Sequence, residues 1–337
     1  MLQVGIIGAG NFSIKHIHAM RKVENVQLKS ICRTDPVALK KLRETYNVDG
    51  STDYKVLLKD PSIEAVLIAT PHHLHCQIAL EAAASGKHIL LEKPLASTWA
   101  DCQKIYEGCK ANSVKLLVAQ VGQFTSAFAK AKAFLASGQL GDILMAKATS
   151  VSYWKHPERQ NWHLRKESGG GYLLTLGVHQ IDLLCALIPS NVISVYAKIT
   201  NRFHKDEVED GVIAVLNFEN GTCATLFFAG VKSGVNQVET ALVGSNGILK
   251  ISFDKGVSIG KDGNWQSLED TFQHDWMDRA LEEEWRSFSS TIQQDIAPAI
   301  TPEHALHVME IIFAIKLSSE SGREIPLPLE KNSLFST

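Results

Sequence analysis

No apolar run in this chain approaches the ~20 residues that a membrane-spanning helix needs; the longest, such as Ala65–Thr70, are far shorter. No basic stripe is present either. Lys and Arg total 34 against 36 Asp and Glu, a formal net charge of -2, which excludes the electrostatic footprint of a nucleic-acid binder. The six cysteines (Cys32, Cys76, Cys102, Cys109, Cys185, Cys223) form no Cys-x-x-Cys pair. That predicts free, mostly buried thiols in a reducing compartment. A Gly-x-Ser-x-Gly nucleophile turn is missing, which argues against hydrolase chemistry of that type. His72, His73 and His75 cluster, but their spacing does not fit a zinc site and they have no cysteine or carboxylate partner, so no metal is expected. No charged leader precedes the first apolar stretch, Met1–Gly8, which predicts a cytoplasmic protein with no membrane partner.

What is there is an ordinary globular composition, 21% charged and 45% apolar over 337 residues. Domains of about 100–200 residues predict two: a dinucleotide-binding domain over 1–121 and a substrate-binding and oligomerisation domain over 122–337. The first part alternates short β-branched runs (Val4–Ile7, Gln27–Cys32, Ala65–Ala69, His88–Leu91, Lys115–Ala119) with helical patterns (Ser13–Lys22, Pro36–Tyr46, Leu74–Ser85, Thr98–Ala111). Short apolar strands alternating with helices predict an α/β fold with a doubly wound parallel sheet.

After about Gly122 the rhythm changes. A helix over Ala127–Ser137 and a long strand over Ile143–Tyr153 lead to Gly169-Gly170-Gly171 and a helix near Thr175–Leu187. Strands follow over Val192–Ile199, Gly211–Phe218, Thr222–Phe228, Val238–Val243 and Ile248–Phe253, with hairpin turns at Asn220-Gly221 and Asn246-Gly247. Helices over Met277–Ile292 and Pro302–Ser321 complete a largely antiparallel open sheet with helices on one face.

The first strand runs into Gly8-Ala9-Gly10-Asn11-Phe12-Ser13. A dinucleotide turn needs one glycine for the tight bend and a second where backbone approaches pyrophosphate, with a helix N-terminus behind them. Ser13 holds the third small position, where its hydroxyl can also bond a phosphate. The second strand ends in Cys32-Arg33-Thr34-Asp35. Arg33 can pair with a 2′-phosphate and Thr34 supplies a hydroxyl, so NADP is preferred; an inward Asp35 would instead suit NAD.

Three further segments complete a pattern: Ala69-Thr70-Pro71 with His75, Glu92-Lys93-Pro94-Leu95, and Gly177-Val178-His179-Gln180-Ile181-Asp182. Together with the N-terminal loop they resemble the glucose–fructose oxidoreductase / inositol dehydrogenase / MocA (Gfo/Idh/MocA) family over nearly the whole chain. The resemblance implies a nicotinamide-dependent oxidoreductase acting on a secondary alcohol or ketone of a sugar, inositol or related polyol. A non-catalytic, redox-sensing dinucleotide-binding protein of the same fold is the alternative. It also implies a cis Lys93–Pro94 bond.

The expected cofactor contacts are Gly8, Gly10, Asn11, Phe12, Arg33, Thr34, Thr70, Pro71, His75, Glu92, Lys93 and Trp162. Lys93, beyond the carboxyl end of a parallel strand, can polarise a substrate oxygen. His179 is the natural proton shuttle. Asp182, three residues on, shares its face and can fix the imidazole tautomer or contact substrate. Thr175 stands where relatives commonly carry Asp; it cannot hold a charge but can hydrogen-bond a sugar hydroxyl. Trp162 matches the first residue of a Trp-Arg pair found in NADP-using relatives, while His163 departs from the second. Tyr153 and Trp154 are candidates to line the substrate site. An open sheet face left bare would be a large apolar patch, so a homodimer or homotetramer is expected.

Overall fold

The computed structural model describes residues 1–154, 159–252, 255–268 and 274–330. Two compact units emerge: Met1–Val121 with Met277–Leu306, and Gly122–Trp276 with His307–Thr337.

The first unit runs β1 (Leu2–Ile7), α1 (Asn11–Met20), β2 (Val26–Cys32), α2 (Pro36–Tyr46), β3 (Asp49–Ser51), α3 (Tyr54–Lys59), β4 (Ala65–Ile68), α4 (His75–Ala84), β5 (His88–Glu92), α5 (Trp99–Ala111) and β6 (Leu116–Ala119). The strands form one sheet in the order β3-β2-β1-β4-β5-β6, every pairing parallel. β4 and β6 are buried along their whole length, as strands covered on both faces must be. The order reverses between β1 and β4. That is the switch point where the carboxyl ends of strands splay loops apart and leave a crevice. Expected helix limits hold to within a few residues; Pro36 opens α2 at N1 with Asp35 as its cap. β3 and α3 are additions that periodicity did not predict.

The second unit holds α6 (Ser126–Ala136), β7 (Ile143–Tyr153), α7 (Val178–Leu187), β8 (Val192–Thr200), β9 (Gly211–Phe218), β10 (Cys223–Val231), β11 (Gln237–Gly244), β12 (Gly247–Ser252), β13 (Gly256–Lys261) and β14 (Asn264–Ser267). α8 (Trp276–Gln293) and α9 (Pro302–Ser321) follow, then the two-residue β15 (Ile325–Pro326). Its sheet has nine strands in the order β14-β13-β12-β11-β7-β10-β9-β8-β15. It is mixed: β7 and β10 run parallel and their other neighbours antiparallel. The expected strand over Ile248–Phe253 is β12; its last residue, Phe253, lies outside the described residues.

Burial alternates along β9 and β10, so alternate side chains face away from the core. On that open face Ile213 is paired with Phe227 across β9 and β10, and Cys223 with Met145 across β10 and β7. Ile213, Phe227, Met145 and Tyr196 are all at least half exposed. The segment Lys166–Leu187 is long and apolar enough by composition to span a membrane, which single apolar runs did not reveal, but 78% of its most apolar window is buried in the fold.

Candidate functional site

The dinucleotide turn is built by steric necessity. Gly8 has φ +90, and a Cβ there would sit 2.7 Å from the carbonyl carbon of Ala69 and 2.8 Å from the Thr70 methyl. Only glycine fits that bend between β1 and the end of β4. Gly10 differs: a Cβ on it would meet nothing closer than 4.0 Å. The backbone therefore presents an open approach at the head of α1, and Gly10 caps that helix without any side-chain hydrogen bond. Exposed N–H groups on a ten-residue helix, reached over a bare glycine, are what a pyrophosphate requires. These residues fit a dinucleotide. Asn11 is exposed and Phe12 is 36% exposed beside this approach. Ser13 does not face it. It is 1% exposed and its hydroxyl donates to Gly8 O at 2.7 Å, so it closes the helix against the turn instead of contacting phosphate.

The adenine-side residues separate cleanly. Asp35 Oδ1 accepts from the N–H groups of Val37 (2.9 Å) and Ala38 (3.2 Å), so the side chain caps α2. Arg33 is half-buried and donates from Nη1 to Ala9 O at 2.7 Å, which holds the guanidinium beside the glycine turn. Thr34 is exposed next to it.

At the next strand ends, Thr70 and Pro71 flank the turn. The Thr70 hydroxyl is buried with no partner among the described residues. His75 is fully buried, its Nδ1 2.9 Å from Pro94 O and its Nε2 3.0 Å from Thr70 O. Burial pushes its pKa down, against the pull of those carbonyls and of Glu92. The ring packs between carbonyls of two loops, and a neutral ring donates to one of them. Lys93, half-buried, follows β5 and precedes a cis Lys93–Pro94 bond. The Glu92 carboxylate is turned to the protein: Oε2 accepts from Lys93 N at 3.2 Å and Oε1 lies 2.8 Å from His16 Nε2.

In the second unit, a π-helical turn over Leu173–Gly177 leads into α7. Such turns widen a helix and re-aim its side chains. Gly177 is required where α7 passes β10: a Cβ would lie 2.9 Å from the Phe228 ring. His179 is half-buried on the first turn of α7. Asp182, 1% exposed, accepts from Gln123 Nε2 at 2.9 Å. The Thr175 hydroxyl, buried, donates to Gly171 O at 2.5 Å. Trp162 stacks on His163, ring centres 3.7 Å apart, and donates to Gln160 Oε1 at 2.7 Å. Tyr153 is 43% exposed, whereas Trp154 is packed in the core 4.9 Å from the Tyr172 ring; of the two, only Tyr153 is open to a ligand. Sequence reading missed Gln123 and Glu209. Glu209 accepts from Leu173 N at 2.9 Å and anchors the turn before α7. Gln123 lies in a short 3-10 turn and Glu209 in a loop, with nothing in their spacing to mark them.

A parallel sheet ordered 3-2-1-4-5-6, with a bare glycine turn at its switch point, defines the class: dinucleotide-binding α/β proteins. The family is equally clear. The model described as "Oxidoreductase family, NAD-binding Rossmann fold" matches residues 2–120, and that described as "GFO/IDH/MocA C-terminal domain" matches residues 128–250. The chain belongs to the Gfo/Idh/MocA family.

Among curated relatives it is 26% identical to a 1-carboxy-3-chloro-3,4-dihydroxycyclo hexa-1,5-diene dehydrogenase of Comamonas testosteroni, over 68% of this chain and 58% of that one. It is 32% identical to levoglucosan dehydrogenase of Pseudarthrobacter phenanthrenivorans, over 56% of this chain and 51% of that one. The chain thus spans little more than half the length of these relatives. A solved levoglucosan dehydrogenase in complex with NADH and levoglucosan shares the fold, with a TM-score of 0.89 at 22% identity, covering 97% of this chain and all of that one.

Proposed function

We propose that this protein is a nicotinamide-dependent oxidoreductase, with NADP preferred over NAD, acting on a secondary alcohol or ketone of a sugar, inositol or related polyol. The observation that carries the reading is the open approach over Gly10 to the uncapped head of α1 at the switch point of the sheet. When bound, the nicotinamide supplies the hydride acceptor or donor. Lys93 polarises the substrate oxygen. His179 takes the hydroxyl proton in oxidation and returns it in reduction. Asp182, itself held by Gln123, keeps the imidazole in one orientation or contacts substrate. Thr175 accepts from a substrate hydroxyl, and Tyr153 and Trp162 form apolar walls for sugar or cofactor. The preference for NADP is supported by the two residues after β2: Asp35 is occupied in capping α2, and Arg33 is the cation left beside the loop.

The exposed Met145, Tyr196, Ile213 and Phe227 support covering of the open sheet face by a second copy, as a dimer or tetramer. Free cysteines fit a reducing cytoplasm. The test is a comparison of NADPH and NADH binding by fluorescence, followed by addition of a panel of sugars and polyols to the protein with oxidised cofactor. Tighter NADPH binding and reduction of the cofactor by at least one sugar are expected. Tighter NADH binding contradicts the preference; bound cofactor that no sugar reduces contradicts the enzyme.

A further inference from the structure

A second buried carboxyl group lies on α8, where the next residue, Trp285, packs against the same His16 that meets Glu92. Glu284, on α8, is 0% exposed, and neither of its carboxyl oxygens has a hydrogen-bond partner among the described residues. A carboxylate in such a place loses its hydration and gains no donor among the described residues, which favours the neutral acid. Burial pushes the pKa of Glu284 well above the usual carboxylate range, and the charge of Glu92 raises it further. Glu92 is the contrasting case, with the His16 ring nitrogen at one oxygen and the Lys93 amide at the other. Other titratable groups face this region. His16 comes from α1, its ring 5.9 Å from that of Trp285, the residue after Glu284. His75 comes from α4 and feels the Glu92 charge. Lys22, by contrast, is paired with Glu282 and largely exposed. Of the two carboxyls, Glu284 is the one left without a donor among the described residues, and burial favours its neutral form.

We infer that Glu284 is a positioning residue for the Glu92–Lys93 turn, a neutral acid that leaves His16 and the Lys93 amide to Glu92 alone. Ionising Glu284 sets a second negative charge beside Glu92 and disturbs the hydrogen bond to the Lys93 amide. What this does to catalysis rests on the role of Lys93 proposed above; the protonation state does not.

The experiment compares the full-length wild type with Glu284→Gln, and with Glu284→Met should the first fail to fold. The folded chain holds this proton more tightly than the unfolded chain. Between the ordinary carboxylate pKa and the raised one, the native state therefore binds more protons, and wild-type stability falls as pH rises. The unfolding midpoint of Glu284→Gln minus that of wild type is expected to grow as pH rises from the ordinary carboxylate range toward the raised pKa. A protonated-carboxyl stretch in the wild-type infrared spectrum at neutral pH should be lost in the variant. The Lys93 amide resonance should titrate with Glu284 in the wild type and lose that shift in the variant. A pH-independent stability difference or an unchanged infrared band overturns the neutral acid; an identical Lys93 titration in both proteins overturns the positioning. No readout needs turnover, so failure of the proposed reaction is detected separately.

Discussion

Arg33 shows how far one side chain can carry a specificity argument. Its guanidinium is held to Ala9 O beside the glycine turn, and the competing acid, Asp35, caps α2. A charge-assisted bond to phosphate is worth about 1.5–3 kcal/mol. Arg33→Ala is therefore expected to weaken NADPH binding by about 10- to 100-fold, with NADH changed little, measured by cofactor fluorescence. A second residue-scale prediction concerns the thiols. Burial pushes Cys32 up to about 11 and Cys109 up to about 12, and raises Cys102 as well. Each raised pKa leaves almost no thiolate near neutral pH. Iodoacetamide should label these three in unfolded protein and spare them in the native state, read by mass spectrometry. Lys93 and Arg33 stand out in the sequence as residues just past predicted strands, and His179 through the motif on its helix. The direction of Ser13, the core packing of Trp154 and the turn residue Gln123 were not legible there, since they depend on contacts remote in the chain.

At the scale of elements, the parallel strands and their helices were legible because burial on both faces writes unbroken apolar runs. β3, with the sequence Asp49-Gly50-Ser51, was not: an edge strand of three polar or small residues carries no β signal and exists only by pairing with β2. The β13–β14 hairpin escaped for the same reason, although Asp262-Gly263 at its turn is a hairpin signature. The π turn before α7 was read as ordinary helix, because a one-residue widening leaves the apolar pattern nearly intact. The β1–α1 turn gives the sharpest test of local design. Gly8→Ala forces a Cβ against the Ala69 carbonyl at positive φ. A loss of about 1–3 kcal/mol is expected, read as a lower urea midpoint, together with weakened binding of both cofactors.

For the whole molecule, the nine-stranded sheet presents one face to helices and leaves Ile213 and Phe227 side by side on the other. If a second copy covers that face, Ile213→Lys is expected to convert a dimer or tetramer into monomer by light scattering, with far-ultraviolet dichroism unchanged. The central claim is that Lys93 and His179 do the chemistry on a sugar-like substrate. Single-turnover reduction of bound oxidised cofactor by the best accepted sugar, followed in wild type, Lys93→Ala and His179→Ala, tests it most directly. The rate should fall by about 10²- to 10⁴-fold in each variant, with cofactor affinity near wild type in His179→Ala; undiminished rates in either variant would contradict the account.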